Sequence, residues 1–154
     1  MILKNENDIY MYFETIEQLA PQRVLDIGMF LKRIGSVSRK VMDREVPAEV
    51  CLDGIDLFPQ FQFPVWDTVY DARVSLNRFL AEPREKRYDL AVFLGMDASL
   101  LELPLSQLAE ELPQCARYLL TDRFPQIWRE RWNNALARDL KLEDSGYYLL
   151  DFGA

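Results

Sequence analysis

The stretch that decides the fold is Arg23-Val24-Leu25-Asp26-Ile27-Gly28. It is a short apolar run with β-branched residues that ends at a glycine, a pattern typical of a buried strand leading into a turn. The preceding residues 8–20 have the apolar spacing of a helix, and Pro21 ends that spacing. The sequence therefore predicts a helix followed by a buried strand at the start of the chain.

A second helix is predicted directly after this strand. Phe30, Ile34, Val37 and Val41 recur at helical intervals and would share one face. The opposite face is basic, and the ordinary interpretation of such a face is exposure to solvent. Its residues are Lys32, Arg33, Arg39, Lys40 and Arg44.

The alternation of strands and helices continues to the end of the chain. Further strands are predicted at 49–56, 67–70, 88–94, 117–121 and 147–152, and further helices at 76–80, 101–112 and 125–139. Trp128 and Trp132, on the last helix, are expected to pack in the core. Alternating elements with short connections favour a doubly wound α/β fold, in which a mainly parallel sheet carries helices on both faces. The length of 154 residues suits a single domain, 1–154.

The composition excludes several classes of chemistry. The chain has no histidine, which rules out an imidazole base and two-histidine metal sites, so no metal is expected. Its 25 acidic and 18 basic residues give a net charge of −7, which argues against general nucleic-acid binding. Cys51 and Cys115 stand alone, without CxxC spacing, and no apolar run is long enough to span a membrane. We therefore expect a cytoplasmic protein with no membrane partner.

Ligands of doubly wound sheets bind at the carboxyl ends of the strands, near the switch in strand order. A glycine such as Gly28 lets the backbone approach a ligand closely, and an acid after the second strand can accept hydrogen bonds from ribose hydroxyls. The sequence lacks GxGxxG and GK[ST], which argues against dinucleotide cofactors and a P-loop. These features favour a ligand of the adenosine type. The residues at or just beyond predicted strand ends are Asp26, Gly28, Asp53, Asp56, Asp71, Gly95, Met96, Asp97 and Asp122.

Three segments of the chain resemble a known family. Val24-Leu25-Asp26-Ile27-Gly28, Gly54-Ile55-Asp56 and Tyr88-Asp89-Leu90-Ala91-Val92-Phe93 are similar, in order and spacing, to the first, second and fourth strand motifs of class I S-adenosylmethionine-dependent methyltransferases. The resemblance covers residues 8–122. It implies a Rossmann-like sheet, S-adenosylmethionine as the cofactor, and methyl transfer to an acceptor that the sequence does not identify.

The resemblance also implies cofactor-binding residues. Asp26 and Gly28 would contact the cofactor after the first strand. Asp56 would hold the ribose, with Asp53 as the alternative because the pattern does not fix the end of the second strand. The resemblance implies no particular catalytic residue.

Three further positions would complete the cofactor site. Asp71 would lie beside the adenine, and Gly95 and Met96 would lie where the fourth strand opens onto the methyl acceptor. The ordinary interpretations stay open, with Asp71 as a helix N-cap and with Gly28 and Gly95 as turn residues.

Phe30 and the C-terminal region depart from the family pattern. Phe30 stands where the family has a glycine, so its ring would occupy the methionine or ribose space or push the loop outwards. The family sheet ends in two strands, but only 147–152 is predicted here. The sheet would then be C-terminally shortened, with an open edge that pairs with a second copy to form a homodimer. The irregular aromatic segment 57–66 is either a small hydrophobic plug over the end of the sheet or a contact surface.

Two main functions follow from these features, and a third alternative is an enzyme that acts on a different adenosine-containing ligand through the same acids. The first is methyl transfer to an unknown small-molecule or protein acceptor, with weak or lost activity. Such transfer can proceed by alignment of the reactants and does not need histidine. The second is a non-catalytic binding or assembly module on a methyltransferase-like fold.

Overall fold

The computed structural model describes residues 4–34, 38–56, 68–71, 86–95, 105–142 and 145–154. The helices of these ranges are α1 (Lys4–Leu19), α2 (Phe30–Arg33), α3 (Leu105–Cys115) and α4 (Gln126–Arg131). The strands are β1 (Arg23–Ile27), β2 (Lys40–Val41), β3 (Arg44–Glu45), β4 (Cys51–Asp56), β5 (Thr68–Asp71), β6 (Tyr88–Phe93), β7 (Ala116–Thr121), β8 (Leu136–Leu142) and β9 (Ser145–Asp151).

Seven strands form one sheet in the order β5-β4-β1-β6-β7-β9-β8. The strands from β5 to β7 in this order are parallel, and β9 and β8 are antiparallel additions at one side. The chain runs outward from β1 through β4 to β5 and then returns to β6 on the other side of β1, so the order switches between β1 and β6. The predicted doubly wound, mainly parallel α/β fold is confirmed.

Helices cover both faces of the sheet because its central strands are apolar on both sides. In β1, Val24 packs in a core cluster with residues of α1, which we call the α1 cluster. Leu25 and Ile27 point to the opposite face and pack in a second cluster with residues of α3 and α4. β1 thus contributes residues to the core on both faces of the sheet.

The two tryptophans of the last helical region are core residues, as the sequence predicts. Trp128 and Trp132 belong to the second cluster, and their ring centroids lie 4.9 Å apart. Their indole N–H groups donate to the carbonyl oxygens of Leu105 and Ala109, each at 2.9 Å. The pair therefore fixes the α4 region against α3.

The helix predicted over residues 30–41 is wrong over residues 38–41, and residues 35–37 lie outside the described part of the chain. α2 has only four residues, and a small antiparallel hairpin formed by β2 and β3 comes next among the described elements. Gly35 and the neighbouring serines have low helix propensity, which explains a short helix. Val41 in the hairpin still packs against the α1 cluster. Val41 is thus packed as the helical spacing predicts, but it lies in a strand and not in a helix.

The basic face predicted for that helix is exposed at Lys40, but two of its arginines make contacts within the protein. Arg39 donates from Nη1 to the carbonyl oxygens of Pro47 and Val50, at 3.0 and 2.7 Å. Arg44 forms ion pairs with Glu14 and Glu17 of α1, at 3.4 and 2.8 Å. These contacts connect the hairpin region to α1 and to the segment before β4.

The sheet is not C-terminally shortened, and this part of the prediction is wrong. The chain forms two terminal strands, β8 and β9, and α4 ends at Arg131 instead of continuing to residue 139. β8 lies at the edge of the sheet with mostly exposed residues, so it lacks the apolar run by which an inner strand is recognised. β9 is paired on both sides, with β7 and β8, so the strand predicted at 147–152 is not an open edge.

Two predicted features, the helix at 76–80 and the aromatic segment 57–66, lie outside the described residues. Within the described ranges, no helix is both long enough and apolar enough to cross a membrane. The same ranges contain no cluster of three or more His, Cys, Asp or Glu residues that could hold a metal ion.

Candidate functional site

The loops after β1 and β6 meet at the switch in strand order. Gly28 follows β1 with φ of 87°, and its N–H donates to the carbonyl oxygen of Ile55 at the end of β4, at 2.8 Å. Gly95 follows β6 with φ of 65°. Both glycines adopt backbone conformations that other residues rarely tolerate, so both act as turn residues after their strands. The edge formed by these two loops is the crevice in which doubly wound sheets bind ligands.

The guanidinium of Arg33 bridges the two sides of this crevice. Its Nε donates to the carbonyl oxygen of Gly28 at 2.7 Å. On the other side, Nη1 donates to Gly95 O at 3.0 Å and Nη2 donates to Leu94 O at 2.5 Å. A planar fork with several donors suits three carbonyl oxygens better than an ammonium would. Arg33 therefore takes up strand-end acceptors that a ligand in this crevice would otherwise use.

Carboxylates surround this arginine. Asp8 of α1 is buried and its Oδ1 accepts a hydrogen bond from the Tyr147 hydroxyl at 2.5 Å. The Oδ2 of Asp122 accepts the N–H of Gly95 at 3.2 Å. Burial lowers the pKa of the Arg33 guanidinium, while the charges of Asp26, Asp8 and Asp122 oppose that shift. Since the ordinary pKa of arginine is very high, Arg33 stays charged among these acids.

Asp26 holds the loop after β1 through a hydrogen bond to its backbone. Its side chain is fully buried, and Oδ1 accepts the N–H of Phe30 at 3.0 Å. Its other oxygen, Oδ2, makes no hydrogen bond of normal geometry to the described residues. Burial raises the pKa of Asp26 to about 7, although the Phe30 N–H, the charge of Arg33 and the Tyr12 hydroxyl all act to lower it. Its contact with a cofactor stays a prediction.

Phe30 lies in the core and not in the crevice. Its side chain is 1% exposed, and its ring is stacked on that of Tyr12 from α1, with centroids 5.2 Å apart and an interplanar angle of 29°. The Arg33 guanidinium carbon lies 5.8 Å from the same ring centroid. Phe30 therefore affects the crevice indirectly, because it anchors the start of the short helix that carries Arg33.

Asp53 is not a strand-end residue, so its assignment as the alternative ribose acid is wrong. It lies in the middle of β4, opposite Leu25 of β1, and is 6% exposed. Its Oδ2 accepts the Tyr88 hydroxyl at 2.6 Å. Tyr88 is the first residue of β6, so this contact lies towards the opposite end of the sheet from the crevice.

The two other predicted acids end neighbouring strands. Asp56 is the last residue of β4, Asp71 is the last residue of β5, and the two are paired in register. Their backbones therefore lie together at the carboxyl edge of the sheet, as predicted. The side chains of Asp56 and Asp71, together with all of Met96 and Asp97, lie outside the described part of the chain.

Sequence reasoning missed Arg33 as a site residue. Its acceptors are backbone carbonyl oxygens, which every residue has, and two of them lie more than 60 positions away in the chain. Neither residue type nor spacing could indicate such a contact. A basic residue just after the first strand-end glycine was the one available signal, and a basic helix face explained it equally well.

The fold recurs in solved structures. A putative O-methyltransferase from Klebsiella pneumoniae matches with a TM-score of 0.58 at 15% identity, over 96% of this chain and 80% of that chain. The bifunctional kinase-methyltransferase WbdD matches with a TM-score of 0.53 at 17% identity, over 97% of this chain and 39% of that chain. The chain has a class I methyltransferase-like fold. A third match, the Thermoplasma acidophilum protein 1320, has a TM-score of 0.52 at 11% identity and covers 98% of both chains.

The likeness of this methyltransferase-like chain to these structures is one of fold. It spans only about two fifths of the length of WbdD. No sequence-family model matches the chain, and no curated protein matches it in sequence.

S-adenosylmethionine is the cofactor that a class I methyltransferase fold implies. It carries a positive sulfonium and a positive ammonium group, which acceptor oxygens stabilise, and a carboxylate, which a cation stabilises. At the crevice, the carbonyl oxygens of Gly28, Leu94 and Gly95 already accept hydrogen bonds from a cation, Arg33. While Arg33 holds its position, this side of the crevice therefore does not fit the two positive groups of the cofactor, because the oxygens that would accept from them are occupied.

Proposed function

We propose that this chain is a non-catalytic member of the methyltransferase-like fold that serves as a binding or assembly module. The observation that carries the proposal is the hydrogen-bonded fork of Arg33 across the switch-point crevice. Arg33 supplies the positive charge and the donors that a cationic cofactor would bring. A side chain of the protein replaces the ligand and joins the two halves of the sheet.

The interactions of Arg33 favour a crevice that stays closed by this side chain over one that opens and closes. Three charge-assisted hydrogen bonds and the nearby carboxylates stabilise Arg33 in the crevice. A cofactor would have to displace the guanidinium from its three carbonyl acceptors and from the two buried acids near it, Asp8 and Asp26. Breaking a buried charge arrangement of this kind costs about 3–5 kcal/mol, which would weaken binding by two to four orders of magnitude.

Cofactor binding to the purified full-length chain tests the proposal. Titration calorimetry with S-adenosylmethionine and with S-adenosylhomocysteine should give no binding heat at micromolar protein. Mass spectrometry of the denatured sample should find neither compound. Stoichiometric binding of either compound, or cofactor that copurifies, would overturn the proposal.

A pair of variants separates the role of Arg33 from general damage. Arg33→Ala removes the fork, and any gain of cofactor binding in this variant identifies Arg33 as the closing group. Arg39→Ala is the matched control, because Arg39 also donates to two carbonyl oxygens but lies outside the crevice. The result with the unmodified chain decides the proposal if Arg33→Ala fails to fold.

The cellular setting belongs to the same proposal. The sequence has no CxxC spacing and Cys115 is fully buried, which supports a reducing, cytoplasmic location. The net charge of −7 favours a protein partner over a nucleic acid. Loss of the fold on full reduction in dithiothreitol would contradict the reducing location.

A further inference from the structure

We propose that two copies of this chain associate through the open edge of β8, in an antiparallel pairing centred on Leu140. Among the described residues, β8 is the last strand of the sheet and is hydrogen-bonded on one side only, to β9. An edge strand presents unpaired backbone groups to which another strand can add. The inference does not depend on whether the protein binds a cofactor.

The regular part of β8 defines where a partner strand can pair. A register shift between Leu136 and Arg138 marks a bulge at the start of the strand. From Arg138 to Leu142 the pairing with β9 is continuous. The centre of that regular segment is Leu140, so a two-fold axis at Leu140 uses all of it and avoids the bulge.

The charges of residues 138–142 favour this register over registers centred on the charged residues of the segment. In a symmetric antiparallel pair centred on Leu140, Asp139 lies opposite Lys141 of the second copy, and the two-fold axis repeats the pair. If the two-fold axis passed through Arg138, Asp139 or Lys141 instead, that residue would face the same residue of the second copy, and two like charges would be in contact. Leu140 itself would face the same leucine of the second copy.

The residues that would form the interface are available in the single chain. Leu140 is 39% exposed, a large value for a leucine in a strand. Asp139 and Lys141 are exposed, and neither forms an ion pair with any described residue. Pairing with a second copy would therefore satisfy charges without breaking existing contacts.

An apolar groove beside β8 would extend the contact. Leu140 lies opposite Tyr147 of β9, on the face of the sheet that α1 covers. Between α1 and the β8-β9 pair runs a groove of about 250 Å³, whose lining includes Leu140 and Tyr10. Tyr10 is 47% exposed, so an incoming strand on this edge could cover both side chains.

Charge exchange at the edge tests both the dimer and its register. The mass of the full chain is measured by light scattering after size-exclusion chromatography over a concentration series from 1 to 500 μM. We expect a dimer at the upper end for the unmodified chain. Asp139→Lys and Lys141→Asp should each raise the dimer dissociation constant at least tenfold, because each places two like-charge pairs in the interface.

The double variant, Asp139→Lys with Lys141→Asp, should restore the dissociation constant to within about threefold of the unmodified value, since opposite charges face each other again. Asp43→Lys is the control, an identical charge change at the tip of the β2-β3 hairpin. A monomer at every concentration overturns the proposal. So does a dimer that the single exchanges leave intact or that the double exchange fails to restore.

Discussion

The Nη1 atom of Arg33 donates to the carbonyl oxygen of Gly95 at 3.0 Å, although the two residues are 62 positions apart in the chain. The same guanidinium binds Gly28 on the other side of the switch in strand order. One side chain thus holds together two loops that separate around a ligand in other doubly wound sheets. This contact links the fold to the proposed loss of catalysis.

Removal of the fork should destabilise the protein. Arg33→Met keeps most of the side-chain volume but leaves three carbonyl oxygens without their donor and the nearby carboxylates without the positive charge. We expect the free energy of unfolding to fall by about 3 kcal/mol, measured by urea denaturation. Arg117→Met removes a half-exposed ion pair with Asp151 and should cost much less, because solvent screens an exposed pair. Equal losses in the two variants would show that Arg33 has no special structural role.

Asp26 should make the protein less stable as the pH rises. Its pKa is 3.8 in a solvated chain and about 7 when folded, so the folded state keeps a proton that the unfolded state has released. The resulting stabilisation is complete below the unfolded pKa and is lost as the pH rises through the folded pKa. Asp26→Asn removes this dependence while its side-chain oxygen can still accept the Phe30 N–H.

Denaturation of both proteins at pH 5 and pH 8 measures this effect. Asp26→Asn should gain about 2.5 kcal/mol relative to the unmodified chain over that interval. Asp151→Asn is the control, because the Gly153 N–H and Arg117 hold the pKa of Asp151 below its ordinary value. It should show no such gain between these pH values. A parallel pH dependence of Asp26→Asn and the unmodified chain would contradict the raised pKa.

Substitution of Gly95 should be costly for two separate reasons. Its φ of 65° is unfavourable for any residue with a Cβ, and an added Cβ would lie 3.1 Å from Asp8 Oδ2 and 3.3 Å from Arg33 Nη1. Gly153→Ala has a positive φ of 90° but open space around the added atom, so it isolates the backbone cost. Thermal unfolding should show a loss of about 1 kcal/mol for Gly153→Ala and roughly twice that for Gly95→Ala. Equal losses would mean that the crevice relaxes freely around the methyl group.

Met42 stores backbone strain at the tip of the β2-β3 hairpin. It has φ of 56° and is 79% exposed, so its side chain makes little packing contribution that could offset the strain. Met42→Gly should raise the free energy of unfolding by about 0.5–1 kcal/mol, since glycine adopts this conformation without steric cost. Met42→Ala retains the strained conformation and should give no gain. A loss of stability in Met42→Gly would indicate that the methionine side chain makes contacts that matter.

The sequence by itself determined the inner sheet. β1 and β6 are short, continuous apolar runs, and residues buried on both faces must be apolar wherever they lie in a sheet. The glycines after them follow from the backbone of the strand-to-helix turn. Apolar strands and turn glycines are local requirements, so the residue types alone indicate them. For the same reason the resemblance to the class I methyltransferase motifs is visible in the sequence.

The tertiary structure alone decided the edge of the sheet and the state of the crevice. β8 is exposed on its open side, so nothing forces its residues into a strand-like pattern, and its pairing with β9 can only be seen in space. Phe30 looked like the obstruction because of its size, but α1 offers Tyr12 as a stacking partner and draws the ring into the core. Arg33 closes the crevice through backbone oxygens of distant residues. Such acceptors are common to every residue, so only the approach of the two loops selects the arginine that bridges them.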